Sequence, residues 1–248
     1  MKSYNVILRT HGGLGNQLFQ ILFGRLFSEH TGYPLKEIHD LRYPHAFNRS
    51  ELLVRSEKPT NWQAFLSAAR IPKVLQRTFG RIEKPLQLGR AFYLDGYFQS
   101  MELYKLFAAK DLTRQLKKLA DELSIGPADL DVCLVHLRVG DFFADSSVAK
   151  MHVLERLKNT PIGANVMTND ECLLRHPDIA NIFKLRVLKL ITTVGMPPEE
   201  VLQTMARYQR IEANDSTLTF WSSVLGGSEL SLKDKSLRDC HDFLKKHR

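Results

Sequence analysis

RTHGGLGNQLFQILFG, residues Arg9 to Gly24, joins two kinds of apolar pattern. Before it, Tyr4 to Leu8 reads as strand, with Val6 to Leu8 of the short buried type. After it, Leu18, Ile21, Leu22, Phe23, Leu26 and Phe27 fall at helical spacing within residues Asn16 to His30. They leave little polar face, so this helix is expected to be buried on several sides. The junction holds Gly12, Gly13 and Gly15, then Asn16 and Gln17. Glycines after a strand let backbone N–H groups approach an anion without Cβ interference. The helix start adds partial positive charge, and the two amides offer neutral donors and acceptors. A tight turn capped by asparagine explains the same spacing equally well. No Lys-Ser/Thr pair follows, so this is not a Walker A loop, and Leu18 stands where a GxGxxG loop has its last glycine.

Downstream the pattern keeps alternating. VCLVHL (Val132 to Leu137), ANVMT (Ala164 to Thr168) and VLKLITT (Val187 to Thr193) read as parallel-sheet strands. AFYLDGYFQS (Ala91 to Ser100) is strand-like, and Met101 to Leu123 reads as helix. Trp62 to Ala69 also looks helical, and the basic stretch Arg70 to Lys84 reads as a loop or hinge. Pro197 to Tyr208 is a helix opened by prolines and glutamates. Asp215 to Gly227 reads as a capped helix start, and the polar tail to Arg248 as helix. Strands alternating with helices imply an α/β architecture with parallel sheets. The border between two halves is expected at residues 105 and 106.

Polar clusters follow the strand ends: His11 to Gln17; Arg138, Gly140 and Asp141; Asn169 and Asp170; and Asp215, Ser216 and Thr217 after a run near Arg210 to Ala213. In open α/β sheets, ligands bind beyond the carboxyl ends of strands. HLRVGD (His136 to Asp141) is the sharpest of these. An arginine at the end of a buried strand is costly unless an anion or carboxylate meets it. Phosphate is the preferred partner, since guanidinium can grip it with two hydrogen bonds; an internal Arg138–Asp141 ion pair is the alternative.

The remaining chemistry is sparse. Asp129 to Asp131 (DLD) has the shape of a metal-binding triplet, but it is expected at the amino end of its strand, away from those clusters. No obligatory metal is therefore expected. Cys133, Cys172 and Cys240 stand far apart without zinc spacing and read as reduced thiols, Cys133 in the core. His152, His241 and His247 read as surface residues, and Trp221 as core. Composition is ordinary for a globular chain, with 44% apolar and 25% charged residues. The formal charge of +8 suits an anionic partner such as a nucleotide or a membrane face. No apolar run is long enough to span a bilayer and no signal-like stretch opens the sequence, so a cytoplasmic setting is expected, with peripheral membrane association through the basic surface admitted.

In this order, GGLGNQLFQ (Gly12 to Gln20), LDGYFQS (Leu94 to Ser100), VHLRVGD (Val135 to Asp141), VMTND (Val166 to Asp170) and NDSTLTFWSSVLGG (Asn214 to Gly227) resemble the α-1,2-fucosyltransferases of glycosyltransferase family 11. The chain departs from that pattern at Val139, where the family usually has a second basic residue. It departs again at Thr168 and Asn169, where the family has Ser-Asp, and at Leu218 and Phe220, where it has Phe and Trp. The resemblance implies a GT-B fold, two Rossmann-like halves facing across a cleft. It implies GDP-fucose as donor, no nucleic acid, and a glycan acceptor with a terminal galactose. Arg138 would hold the β-phosphate, and Ser216 and Thr217 would add hydrogen bonds. His136, Asn169 and Asp170 would contact ribose or guanine. Asn16, with Gly13, Gly15 and Gln17, would close the cleft from the first half. The reaction would be an inverting displacement, with Asp141 or else Asp145 as base. A fucosyltransferase of another linkage, such as a protein O-fucosyltransferase, and a non-catalytic GDP-sugar-binding protein are the alternatives; a dinucleotide oxidoreductase fits less well.

Overall fold

The computed structural model describes residues 4–40, 60–62, 65, 85–137, 146–170 and 175–248. The chain divides into two compact units, residues 1–123 with 239–248, and residues 124–238.

In the first unit, β1 (Asn5–His11) is the inner strand of a sheet ordered β2-β1-β4-β3, with β2 at Leu35–Asp40, β3 at Leu86–Leu88 and β4 at Ala91–Leu94. β1 runs parallel to β2 and β4, while β3 closes an antiparallel hairpin on β4. α1 (Leu14–Thr31) begins two residues earlier than its apolar spacing suggested. The Gly13 carbonyl takes the first N–H bonds, from Asn16 (3.0 Å) and Gln17 (3.1 Å), so the glycine loop itself forms the cap. Gly12, at φ 77°, adopts a left-handed conformation that a side chain would strain. A Cβ at Gly24 would sit 2.8 Å from Leu8 Cδ2, so glycine there sets how closely α1 lies on β1.

The single helix expected from Met101 to Leu123 is two, α2 (Met101–Tyr104) and α3 (Ala109–Glu122). α2 stops where Tyr104 is drawn into the core, its hydroxyl donating to the Phe98 carbonyl at 2.8 Å. α3 buries Leu112, Leu116 and Leu119, a one-sided stripe. It is tied to α1 by the ion pair Arg25–Glu122 at 2.8 Å. Of the helix expected over Trp62 to Ala69, residues 62 and 65 are described and are helical; the basic stretch Arg70 to Lys84 lies outside the described residues.

The second unit carries an all-parallel sheet ordered β7-β6-β5-β8-β9. Its strands are β5 (Leu130–Leu137), β6 (Asn165–Thr168), β7 (Lys189–Thr192), β8 (Tyr208–Ala213) and β9 (Glu229–Ser231). This is a doubly wound order, with the topological switch between β5 and β8. β5 is covered on both faces. Cys133, Val135 and Leu137 join Val153, Leu157 and Ile179 of α4 (Ser146–Lys158) and α5 (Pro177–Leu185). Leu134 faces the other way, with Met167, Ile211 and the residues Val201 and Met205 of α6 (Pro198–Ala206). α7 (Thr217–Gly226) follows β8, and a Cβ at Gly226 would fall 2.3 Å from the Ala206 carbonyl oxygen, so glycine lets α7 pass against α6. α8 (Lys235–Lys245) ends the fold, and from Asp239 onward it belongs to the first unit.

Cys133 and Trp221 are core residues, as expected. His241, expected at the surface, is instead 2% exposed. It lies on the apolar side of α8 with Cys240 and Leu244, and burial pushes its imidazole below the ordinary value. His152 and His247 are half-buried: His152 Nε2 lies 3.3 Å from Asn214 Nδ2, and the His247 ring packs against Phe243.

Candidate functional site

The parallel register of the second unit brings the strand ends together. Leu137 of β5 lies beside Thr168 of β6, and His136 beside Ala213 of β8. The clusters that follow β5, β6 and β8 in sequence therefore start from one edge of one sheet, on either side of its switch point. Arg138, Gly140, Asp141 and Asp145 follow β5 and lie outside the described residues, as does Val139.

At this edge His136, Thr168, Ser216 and Thr219 are buried, while Asn169 and Asp215 are exposed. His136 is 7% exposed, and its Nδ1 lies 3.0 Å from the hydroxyl of Thr219. Thr168 turns its hydroxyl to accept the Asp170 N–H at 3.2 Å, closing a tight turn through Asn169. Asp215 accepts the backbone N–H groups of Lys233 (2.8 Å) and Asp234 (3.1 Å), which fixes the loop after β9. Thr217 opens α7.

Ser216 is different. It occupies the N-cap of α7 with extended backbone, yet its side chain makes no capping bond. The residue is buried, and among the described residues its Oγ has no hydrogen-bond partner. A buried hydroxyl without a partner is costly. This one sits at the positive end of a ten-residue helix, where backbone N–H groups favour an anion.

The carboxyl edge of the first unit is built on charge. Arg9, 1% exposed, projects from β1 between Asp40 at the end of β2 and Asp95 just after β4. It ion-pairs with Asp40 and, at 2.9 Å, with Asp95. The two carboxylates hold the guanidinium charged against its burial. His11 Nε2 lies 3.5 Å from the other oxygen of Asp95. Gln20 accepts the His11 N–H at 2.9 Å, and Gln17 Nε2 donates to the Gly12 carbonyl at 2.7 Å. Gln17, read from sequence as a ligand contact, is thus fully buried and braces the loop that holds Gly13 and Gly15. Asn16 is half-buried, and its Oδ1 accepts from Gln99 Nε2 at 3.1 Å. Arg9, Asp40, Asp95, Gln20 and Gln99 are not among the candidate site residues of the sequence, although Gln20, Asp95 and Gln99 lie in GGLGNQLFQ and LDGYFQS. One signal was available: an arginine inside the apolar run of β1, which needs buried carboxylates.

The Asp129 to Asp131 triplet lies at the amino end of β5, on the opposite edge from these clusters. Asp129 pairs with Arg207 at 3.2 Å, which holds its carboxyl below the usual range. Among the described residues no group of carboxylate, histidine and cysteine side chains is arranged to hold a metal ion. No described helix is long and apolar enough to cross a membrane.

No family model matches the chain, and no curated protein matches it. Solved structures do. That of a mutant of Arabidopsis thaliana FUT1 in complex with GDP superposes with a TM-score of 0.51 at 12% identity, over 93% of this chain and 70% of that one. The chain has the GT-B type of fold. NodZ fucosyltransferase from Bradyrhizobium matches at 14% identity over 91% and 94% of the two chains, TM-score 0.48. POFUT1 in complex with GDP matches at 11% over 94% and 99%, TM-score 0.46. At these identities the likeness is one of fold. In the second unit the strand order places the topological switch point between β5 and β8, at the carboxyl edge where the clusters start.

Proposed function

We propose that the chain is a fucosyltransferase that moves L-fucose from GDP-fucose to a glycan hydroxyl, O-2 of a terminal galactose. One observation carries the donor assignment: the buried Ser216 hydroxyl, without a partner among the described residues, at the start of α7 beside the β5–β8 switch point. Diphosphate oxygens supply the acceptors that this hydroxyl and the α7 N–H groups lack. The GT-B fold, and the GDP bound in the FUT1 structure, favour a guanosine diphosphate sugar over other anions.

In this reading the acceptor hydroxyl attacks the anomeric carbon of fucose from the side opposite GDP. The sugar–oxygen bond breaks with its electron pair leaving on the β-phosphate, and configuration inverts. Arg138, with Ser216 and Thr217, neutralises the charge that grows on GDP, which stabilises the transition state more than the ground state. Asp141 takes the proton of the acceptor hydroxyl. His136, fixed by Thr219, and Asn169 with Asp170 contact the nucleoside. Asn16 serves on the acceptor side. The reading assigns no role to a metal; the place of the DLD triplet on the opposite edge of the sheet and the Asp129–Arg207 pair support it.

Calorimetric titration tests the donor. GDP and GDP-fucose are expected to bind, UDP and NAD not; binding of NAD alone overturns the reading. Arg138→Ala should lower transfer by at least ~100-fold, about 3 kcal/mol, while the protein still melts cooperatively. Full activity of that variant ends the mechanism, and linkage analysis of the product checks the O-2 assignment.

A further inference from the structure

The turn from Asp95 to Gln99 is held on both sides of a residue that is left outside. Asp95 is anchored below by Arg9 at 2.9 Å. Phe98 is 1% exposed and its ring lies parallel to that of Phe23 at 4.4 Å. Its backbone is in the left-handed region at φ 53°, an uncommon and strained place for a bulky side chain. The Tyr104 hydroxyl holds the Phe98 carbonyl at 2.8 Å. Gln99 then turns to Asn16 in the first turn of α1.

The effect of this bracing is to present Tyr97. The residue is 38% exposed, although packing it inward would remove apolar ring surface from water. The buried His11 ring supports it at 5.1 Å, at 67° to its plane. Its place is also telling. In the order β2-β1-β4-β3, the chain leaves β1 through α1 to β2 on one side, while β4 lies on the other. The crevice of this sheet is therefore at the carboxyl ends of β1 and β4. His11 ends β1, and Tyr97 follows β4 by three residues.

We propose that Tyr97 is the acceptor platform: its ring takes the apolar C–H face of a pyranose, and the Asn16 amide, oriented by Gln99, meets the hydroxyl edge of the same sugar. A flat aromatic face beside a fixed amide suits a ligand with one apolar face and a polar rim. A strained turn that presents a half-exposed ring is better explained by such a ligand than by packing alone. The inference rests on the fucosyltransferase reading for its acceptor, but not for the sugar contact itself.

Two readouts on the full chain separate these. Saturation-transfer NMR with the methyl glycosides of galactose, glucose, N-acetylglucosamine and mannose reads sugar binding without catalysis. Signal from ring C–H protons of at least one glycoside is expected with the wild type and Tyr97→Phe, and its loss with Tyr97→Ala and Tyr97→Leu. In transfer assays with lactose, the same two variants should raise the acceptor KM three- to tenfold, on the order of one aromatic contact. The donor KM and the hydrolysis of GDP-fucose should stay at wild-type values. Tyr97→Leu keeps apolar bulk without a ring, so it separates stacking from packing. No signal from any glycoside with the wild type, or unchanged signal and KM in both variants, overturns the proposal. If Tyr97-dependent sugar binding persists while neither GDP nor GDP-fucose binds, the donor assignment falls and the platform stands.

Discussion

The carboxyl edges of the two parallel sheets solve opposite problems. In the first unit a buried arginine arrives with its counterions. Arg9 bridges Asp40 and Asp95, and so ties the ends of three neighbouring strands together. In the second unit the described edge is built from His136, Thr168, Thr219 and Ser216, and Ser216 is left without a partner for its hydroxyl. At the first edge the guanidinium charge is met by carboxylates of the same sheet, which ties the strand ends and holds a loop in place. The second keeps a donor in reserve. Charge inside a protein therefore does not by itself mark a ligand site; an unmet hydrogen-bonding group at a helix start is the better sign.

The largest effect that could break this contrast is on stability. Arg9→Ala leaves two carboxylates in a dry site and should cost about 3–5 kcal/mol of unfolding free energy, read by urea denaturation. A loss under about 1 kcal/mol would show that the two carboxylates do not depend on the Arg9 charge.

Next comes the reserved donor. Ser216→Ala should weaken GDP binding ~10- to 100-fold, the worth of a hydrogen bond to a charged group. The unliganded melting temperature should not fall, because the hydroxyl makes no capping bond. A lower melting temperature with unchanged GDP affinity would make Ser216 structural.

A smaller effect sharpens the first edge. Gln99→Leu should lower the rate ~5-fold, about one hydrogen bond, in a protein that retains Asn16, and have no further effect beside Asn16→Ala. Independent, additive losses would separate Gln99 from Asn16. The smallest effect belongs to the opposite edge of the second sheet. Asp129→Asn should leave transfer unchanged with or without EDTA. Strict dependence on Mn²⁺ or Mg²⁺, lost in this variant, would return the DLD triplet to the active site.

Part of the second unit was legible because β6 and the second half of β5 are buried, so they appear as apolar runs, and because polar clusters follow β5, β6 and β8. β5, β6 and β7 lie within about two residues of their expected limits, and α7 starts where the Ser-Thr pair signalled. The short strands were not legible. β2 is half-buried along most of its length, and β3 and β9 are three residues each, too short for any period to show. His241 misled because a histidine among lysines and aspartates looks solvated, whereas the side of α8 it falls on is set by packing.

By itself the sequence determined the alternation of strand and helix, the glycine loop after β1, and the hydroxyl pair at the start of α7. Each is a local property, fixed by side-chain spacing and by where backbone can turn. Only the tertiary structure decided which strand ends share an edge, that Arg9 is met by Asp40 and Asp95 from 31 and 86 residues away, and that Tyr97 is held out while Phe98 is held in. Those facts depend on sheet order and on packing between distant segments, and no short window of sequence carries them.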